Sequence, residues 1–173
     1  MKNIMNLKFL LPIAIIVLWL GFTINGFTLE IDREKPVHIS ADKVSIDEKT
    51  GFSSYMGNVK ISQGSMLLKG DKVTVYQPNG KLDKIIVNGT PAQFKQLSDK
   101  NDQEIIAQAL ELIYYTITEK LILTGESSLK QGQNSFSGHI IEYDTRNSTV
   151  TANTDGDKKQ RVNAVITPKS NEE

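Results

Sequence analysis

The side chains that could move a proton or attack a bond are few in this chain. Its two histidines, His38 and His139, alternate away from the apolar residues beside them, which reads as two surface imidazoles. Asp42 and Asp71 each follow a small residue and precede a lysine. Two carboxylates can act as acid and base on a glycan, but the shared local setting of this pair reads as structural or solvated. Ser135 and Ser137 flank Phe136 without the Gly-x-Ser-x-Gly elbow of a nucleophile. Asp155-Gly-Asp157 is a fragment of a calcium loop. It lacks the later glutamate and reads as a turn. The chain has no cysteine, which excludes disulfides and thiolate metal sites. Catalysis needs polar groups that converge, and this set predicts no enzyme, no cofactor and no metal.

What repeats in the chain is apolar. Four stretches share one pattern: Ile39-Ser-Ala41-Asp-Lys-Val44-Ser-Ile46, Leu68-Lys-Gly70-Asp-Lys-Val73-Thr-Val75, Ala107-Gln-Ala109-Leu-Glu-Leu112-Ile-Tyr114 and Phe136-Ser-Gly138-His-Ile-Ile141-Glu-Tyr143. The face positions are spaced by two, then three, then two. Strand side chains alternate between faces, so a gap of three turns later residues outward unless a bulge inserts one residue. Ala or Gly at the step allows the bend. The pattern predicts four bent strands, each with one apolar face. The small residues recur at 41, 70, 109 and 138, an offset of 29 within each pair and 68 between pairs. Gly57-x5-Gln63-Gly64-x5-Gly70 recurs at the same offset of 68 as Gly125-x5-Gln131-Gly132-x5-Gly138. Internal duplication follows, with repeats at about 36–97 and 104–166.

The chain has 173 residues, 20 basic and 20 acidic, and is 39% hydrophobic. That composition fits one domain with a core, and no basic excess points to nucleic acid. Met1 to Gly26 is different: Lys2 and Lys8 precede an apolar run from Phe9 to Phe22, the pattern of an export signal. A signal peptide ending at Gly26 and an uncleaved anchor are the two readings; Ile24 is a poor residue three places before the cut. Residues 27–166 are expected to form the domain and 167–173 a disordered tail. Turn residues divide the first repeat into strands over Val37–Ile46, Tyr55–Ile61, Met66–Val75, Leu82–Val87 and Ala92–Leu97, with Asn88-Gly89-Thr90-Pro91 between the last two. Ser98–Gln103 joins the repeats. The second repeat reads as strands over Glu104–Tyr115, Lys120–Lys130, Asn134–Tyr143, Thr149–Thr154 and Gln160–Ile166. The fold class is all-β.

Several of these residues also carry a family resemblance. Pro36-Val-His-Ile39-x-Ala41-Asp42, Tyr55-x-Gly57-Asn58-Val59-x-Ile61-x-Gln63-Gly64, Gly70-Asp71-Lys72-Val73 and Gly89-x-Pro91-Ala92-x-Phe94 resemble the OstA-like (LptA) family of periplasmic lipopolysaccharide transport proteins. Leu123-Thr124-Gly125 with Leu129, and Gln160-Arg161-Val162, extend the likeness over about residues 36–166. The second repeat departs from the pattern at Gly125-Glu-Ser-Ser and at His139-Ile140. The resemblance implies an OstA-like β-jellyroll of stacked antiparallel bent strands, open at both ends. It implies a periplasmic bridge that shelters lipid A acyl chains and carries lipopolysaccharide from inner to outer membrane.

On that reading the apolar faces supply the lipid lining: Val37, Ile39, Val44, Ile46, Tyr55, Val59, Ile61, Leu68, Val73, Val75, Phe94, Leu112, Tyr114, Leu123, Leu129, Phe136, Ile141 and Tyr143. Packing on one another as a core is the alternative for each. The resemblance puts Val37, Ile39, Phe94 and Tyr114 where the groove opens. Two unpaired edges are expected as partner surfaces: Pro36, Val37, His38 and Ile39 toward an inner-membrane jellyroll component, and Arg161, Val162, Ala164, Val165 and Ile166 toward the next copy, head to tail, or an outer-membrane component. Two other functions remain open from sequence: a membrane-anchored component of the same machine, and a cell-surface carbohydrate-binding or adhesive β-repeat module. Against the latter, the single tryptophan, Trp19, lies in the export segment.

Overall fold

The computed structural model describes residues 35–98, 103–154 and 161–168. The export segment, most of the Ser98–Gln103 join, Asp155-Gly-Asp157, Gln160 and the tail from residue 169 lie outside them. The described chain is built of strands: β1 (His38–Ser40), β2 (Lys43–Asp47), β3 (Phe52–Gln63), β4 (Met66–Tyr76), β5 (Lys84–Leu97), β6 (Glu104–Tyr115), β7 (Lys120–Gln131), β8 (Asn134–Asp144), β9 (Thr149–Asn153) and β10 (Asn163–Val165). One short 3-10 turn, Pro78–Gly80, interrupts them. All ten strands belong to one antiparallel sheet in the order β1-β3-β4-β5-β6-β7-β8-β10, with β2 also on β3 and β9 also on β8.

This sheet is folded over on itself. Phe94 on β5 pairs with Ala107 on β6. Tyr114 lies seven residues beyond Ala107 on that strand, about 24 Å away were the strand straight. The Phe94 and Tyr114 ring centroids are instead 6.0 Å apart. Each long strand therefore bends, and its two arms face each other across an apolar interior. The bends fall where the registers slip, between Met56 and Val59, Lys69 and Lys72, Asn88 and Ala92, Gln108 and Glu111, and Thr124 and Ser127. Leu68 and Val73, on either side of the step in β4, are both fully buried, as the gap of three predicts.

Four details differ from the sequence reading. The first repeated stretch is two strands, β1 and β2, because the Asp42 amide donates at the step to the carbonyls of Met56 and Gly57, both at 3.1 Å. Leu82–Val87 and Ala92–Leu97 are one strand: pairing with β6 continues on both sides of Asn88–Ala92. Gly89-Thr90-Pro91 is thus a bulge, where a proline without an N–H is tolerated. The surplus residues also sit opposite the repeated small residues rather than at them. Met56 to Val59 on β3 faces Lys72 to Gly70 on β4, three steps against two. At the C-terminus, Thr167 is held rather than loose: its amide donates to Asn134 Oδ1 at 3.0 Å.

The duplication reaches the backbone. An offset of 68 carries Phe52–Gln63 onto Lys120–Gln131 and Met66–Tyr76 onto Asn134–Asp144, so β3 matches β7 and β4 matches β8 at both ends. The break after Ser40 matches the slip after Gln108, and the slip after Met56 matches that after Thr124. Gly57 and Gly125 occupy equivalent bends at φ 78° and 79°. A side chain at Gly57 meets the Asp42 carboxylate, whereas one at Gly125 meets the more yielding Leu110 side chain. Gly57→Val is expected to destabilise the fold by about 1–3 kcal/mol, read as a lowered urea midpoint. An unchanged midpoint would mean that this bend tolerates a side chain.

Candidate functional site

The registers line up apolar residues across the whole sheet. One cross-strand row runs Ile39, Ile61, Leu68, Phe94 and on through Ala107, Leu129, Phe136 and Ala164. Every member is apolar. Eight strands at about 4.8 Å make a row of roughly 34 Å. On the other arm, a second row runs Val44, Tyr55, Val73, Val87, Leu112, Leu123, Ile141, Ala152. A third runs Val75, Ile85, Tyr114, Leu121, Tyr143, Val150, with Ile46 and Ser53 before it. Sixteen of the eighteen residues expected to line the interior fall in these three rows; Val37 precedes β1 and Val59 pairs with Gly70.

Burial divides them. Val59, Ile61, Leu68, Val73, Val75, Phe94, Leu112, Tyr114, Leu123, Leu129, Ile141 and Tyr143 are buried in one core cluster. Tyr55 and Phe136 are partly buried against it. Val37, Ile39, Val44 and Ile46 are exposed, the last two at 55% and 60%. The arms are thus in contact along the middle of the sheet and apart at its first edge. Ile85, Val87, Leu121 and Ile105 belong to the same core and were not among the expected lining, although Ile85-x-Val87 shows the alternation of an inward face.

Where the arms part, an open cavity of about 650 Å³ lies between them. That is within the range of pockets that hold small ligands. Val37 and Ile39 wall it on one side, with Ile61 behind; Tyr55, Val75, Ile85 and Tyr114 wall it on the other. The loop residues Leu82, Thr116 and Ile117 form the rim. The rim is pinned by hydrogen bonds: Thr116 Oγ1 donates to the Leu82 carbonyl at 2.6 Å, and Arg146 to the Ile117 carbonyl at 3.2 Å. Arg146 also pairs with the nearly buried Glu119 at 2.9 Å, and that carboxylate holds its guanidinium pKa above the ordinary arginine value. Deeper in the core, burial pushes the Tyr143 phenol up. The facing walls are mainly apolar, and Ser53, Gln63, Gln77 and Lys81 add polar groups to the lining.

The candidates for acid–base chemistry do not come together. His38 is on β1, at one edge of the sheet, and His139 is on β8, six places along the strand order. Asp42 accepts a hydrogen bond from Asn58 at 3.3 Å, and Asp71 one from Thr90 at 3.4 Å. Both carboxylates therefore tie down bends. Ser135 and Ser137 pair with Lys130 and Ser128 on β7, flanking the apolar row. Among the described residues, no group of three His, Asp or Glu is placed to hold a metal ion.

Both edges end in short strands. Among the described residues, His38 and Ile39 on β1 pair only with β3, and Ala164 and Val165 on β10 only with β8. Pro36 and Val37, before β1, and Arg161, Val162 and Ile166, around β10, are exposed. Among the described residues, each outer edge leaves backbone groups free to pair with another strand.

Comparison with known proteins gives a consistent set of likenesses. Residues 38–149 match the profile of the family described as "LptA/(LptD N-terminal domain) LPS transport protein". The chain is 33% identical over 147 residues to the "Lipopolysaccharide export system protein LptA" of Haemophilus influenzae, covering 83% of this chain and 84% of that one. It is 31% identical over 150 residues to "Lipopolysaccharide export system protein LptH" of Pseudomonas aeruginosa, covering 83% and 86%. The fold matches the crystal structure of LptH, titled "the LptA homologous periplasmic component of the conserved lipopolysaccharide transport device from Pseudomonas aeruginosa". That match has a TM-score of 0.72 and 30% identity, covering 79% of this chain and 99% of that one.

Proposed function

The chain belongs to the LptA/(LptD N-terminal domain) lipopolysaccharide transport family, and from that premise we propose that it is a periplasmic bridge for lipopolysaccharide. Its apolar interior shelters lipid A acyl chains on the way from inner to outer membrane. The observation that carries this reading is the uninterrupted apolar row from Ile39 to Ala164, open at the first edge into the cavity beside Tyr55 and Tyr114. Each methylene is worth about 0.8 kcal/mol on burial, so an acyl chain of a dozen carbons costs on the order of 10 kcal/mol to expose to water. A carrier needs continuous apolar wall rather than one tight pocket. Val37, Ile39, Tyr55, Ile61, Val75 and Tyr114 meet the chains first. The closed core, Phe94 foremost, joins the lining as the arms separate.

The reading extends to the edges. Pro36 to Ile39 pairs with an inner-membrane jellyroll component. Arg161 to Ile166 pairs with the next copy or with an outer-membrane component, which carries the row from one molecule to another. The relatives bear the names of transport proteins, and the chemistry proposed here is transfer without bond breaking.

Photo-crosslinking in cells tests the reading. A crosslinker at Ile39 is expected to yield lipopolysaccharide adducts, with none from Lys72, which faces away from the interior. Equal adduct yields at the two positions, or none at Ile39, would count against it.

A further inference from the structure

The registers that align the apolar row also build a continuous feature on the opposite face of the same wall. The adjoining row begins Ser40, Lys60, Lys69, Gln93. It continues Gln108, Ser128, Ser137, Asn163. All eight residues are polar. Three shallow cavities of about 390, 320 and 110 Å³ lie along it. Two of them share Ile106 and Gln108, and two share Ser128 and Ser137. Together they make one trough over β4 to β10, roughly 24 Å long at about 4.8 Å per strand spacing.

Positive charge is concentrated on this trough. Lys60, Lys69, Lys95, Lys130 and Arg161 stand on it or beside it. Carboxylates also stand near: Glu104, which pairs with Lys95, Glu126 at one end, and Asp42 and Asp71, which are hydrogen-bonded to Asn58 and Thr90. Among the described residues no ion pair reaches Lys60, Lys69 or Lys130. The chain as a whole has 20 basic and 20 acidic residues, so the excess is local. Lys60 and Lys69 are direct cross-strand partners, and like charges placed opposite each other destabilise a sheet. Packing gives no reason for that pair, whereas an anion seated between the two ammonium groups does.

We propose that the trough holds the phosphorylated oligosaccharide of the lipopolysaccharide cargo, an inference that rests on the transport reading above. Lysines bind phosphate as point charges. The amides of Gln93, Gln108 and Asn163 and the hydroxyls of Ser128 and Ser137 supply the donors and acceptors that sugar hydroxyls need. The cavities beside the row are also lined by Leu67, Ile106, Phe136 and Val165; it is the ammonium groups of the row that select a phosphorylated glycan over a neutral one. The trough runs to β10, an edge strand.

The test is calorimetric titration of the full exported chain with deacylated, phosphorylated lipopolysaccharide oligosaccharide at low salt. Binding is expected, weakened tenfold or more by the double substitution Lys60→Gln with Lys69→Gln and by raised salt. It should be unchanged by Lys43→Gln, on the other arm, and lost when the oligosaccharide is dephosphorylated. The double variant should melt no lower than the parent, because it relieves a repulsion. No binding, equal binding of the dephosphorylated sugar, or full affinity in the double variant would overturn the proposal. The photo-crosslinking at Ile39 is read separately. Adducts there alongside a silent titration would leave the transport reading standing without the trough.

Discussion

Phe94→Ala should be among the most damaging single truncations in this protein, lowering its unfolding free energy by about 3–5 kcal/mol. Phe94 is fully buried and stands in the apolar row between Leu68 and Ala107. Its ring also reaches across the interior to Tyr114, centroid to centroid 6.0 Å. The substitution thus removes contacts within one arm and between the two arms at once. The neighbouring Ala107 is too small to fill the space, and a folded-over sheet held by backbone hydrogen bonds collapses poorly around a void. Phe94→Leu keeps most of the volume and should cost markedly less. Urea unfolding of both variants, followed by circular dichroism, checks the pair. A loss below about 1 kcal/mol for alanine would mean that the arms do not depend on this contact.

Ile39→Asp should separate function from stability. Ile39 is on a three-residue edge strand, exposed on one side and lining the cavity. A substitution there should change stability by about 1 kcal/mol or less. The effect on an acyl ligand is larger. Losing contact with three or so methylenes removes about 2–3 kcal/mol at roughly 0.8 kcal/mol each, a weakening of about thirty- to one-hundred-and-fifty-fold. The carboxylate must also give up water to meet the chain. Displacement of a fluorescent fatty acyl probe measures this, with a melting curve as control. Unaltered affinity in a folded variant would remove Ile39 from the lining.

How much of this could be seen in the chain differs from one element to the next. Glu104–Tyr115 reads as β6 at both ends, since its alternation is long and its turns are clear. The strand containing Asn88-Gly89-Thr90-Pro91 reads as two because those residues have turn chemistry; pairing with β6 on either side overrides it. Val44 and Ile46 carry the same pattern as Val73 and Val75, yet are exposed. Among the described residues their strand, β2, pairs with β3 alone, and a local pattern does not reveal how many neighbours a strand will have. The cavity is hidden for a similar reason. It needs Ile39 and Tyr114, 75 positions apart, on opposite arms of a bend whose closeness depends on the whole sheet. The polar row from Ser40 to Asn163 is a property of register, and register is set by pairing rather than by any one segment.

The match of β3 to β7 and of β4 to β8 makes the length of this protein a multiple rather than a free dimension. One unit of 68 residues moves the wall on by four strands, β1 to β6 by way of β3, β4 and β5, or roughly 19 Å. Splicing in another unit at the join would lengthen the greasy track by that step while leaving both end strands untouched. The reach of the apolar wall is thus set by genetic copying alone, with no new surface to invent.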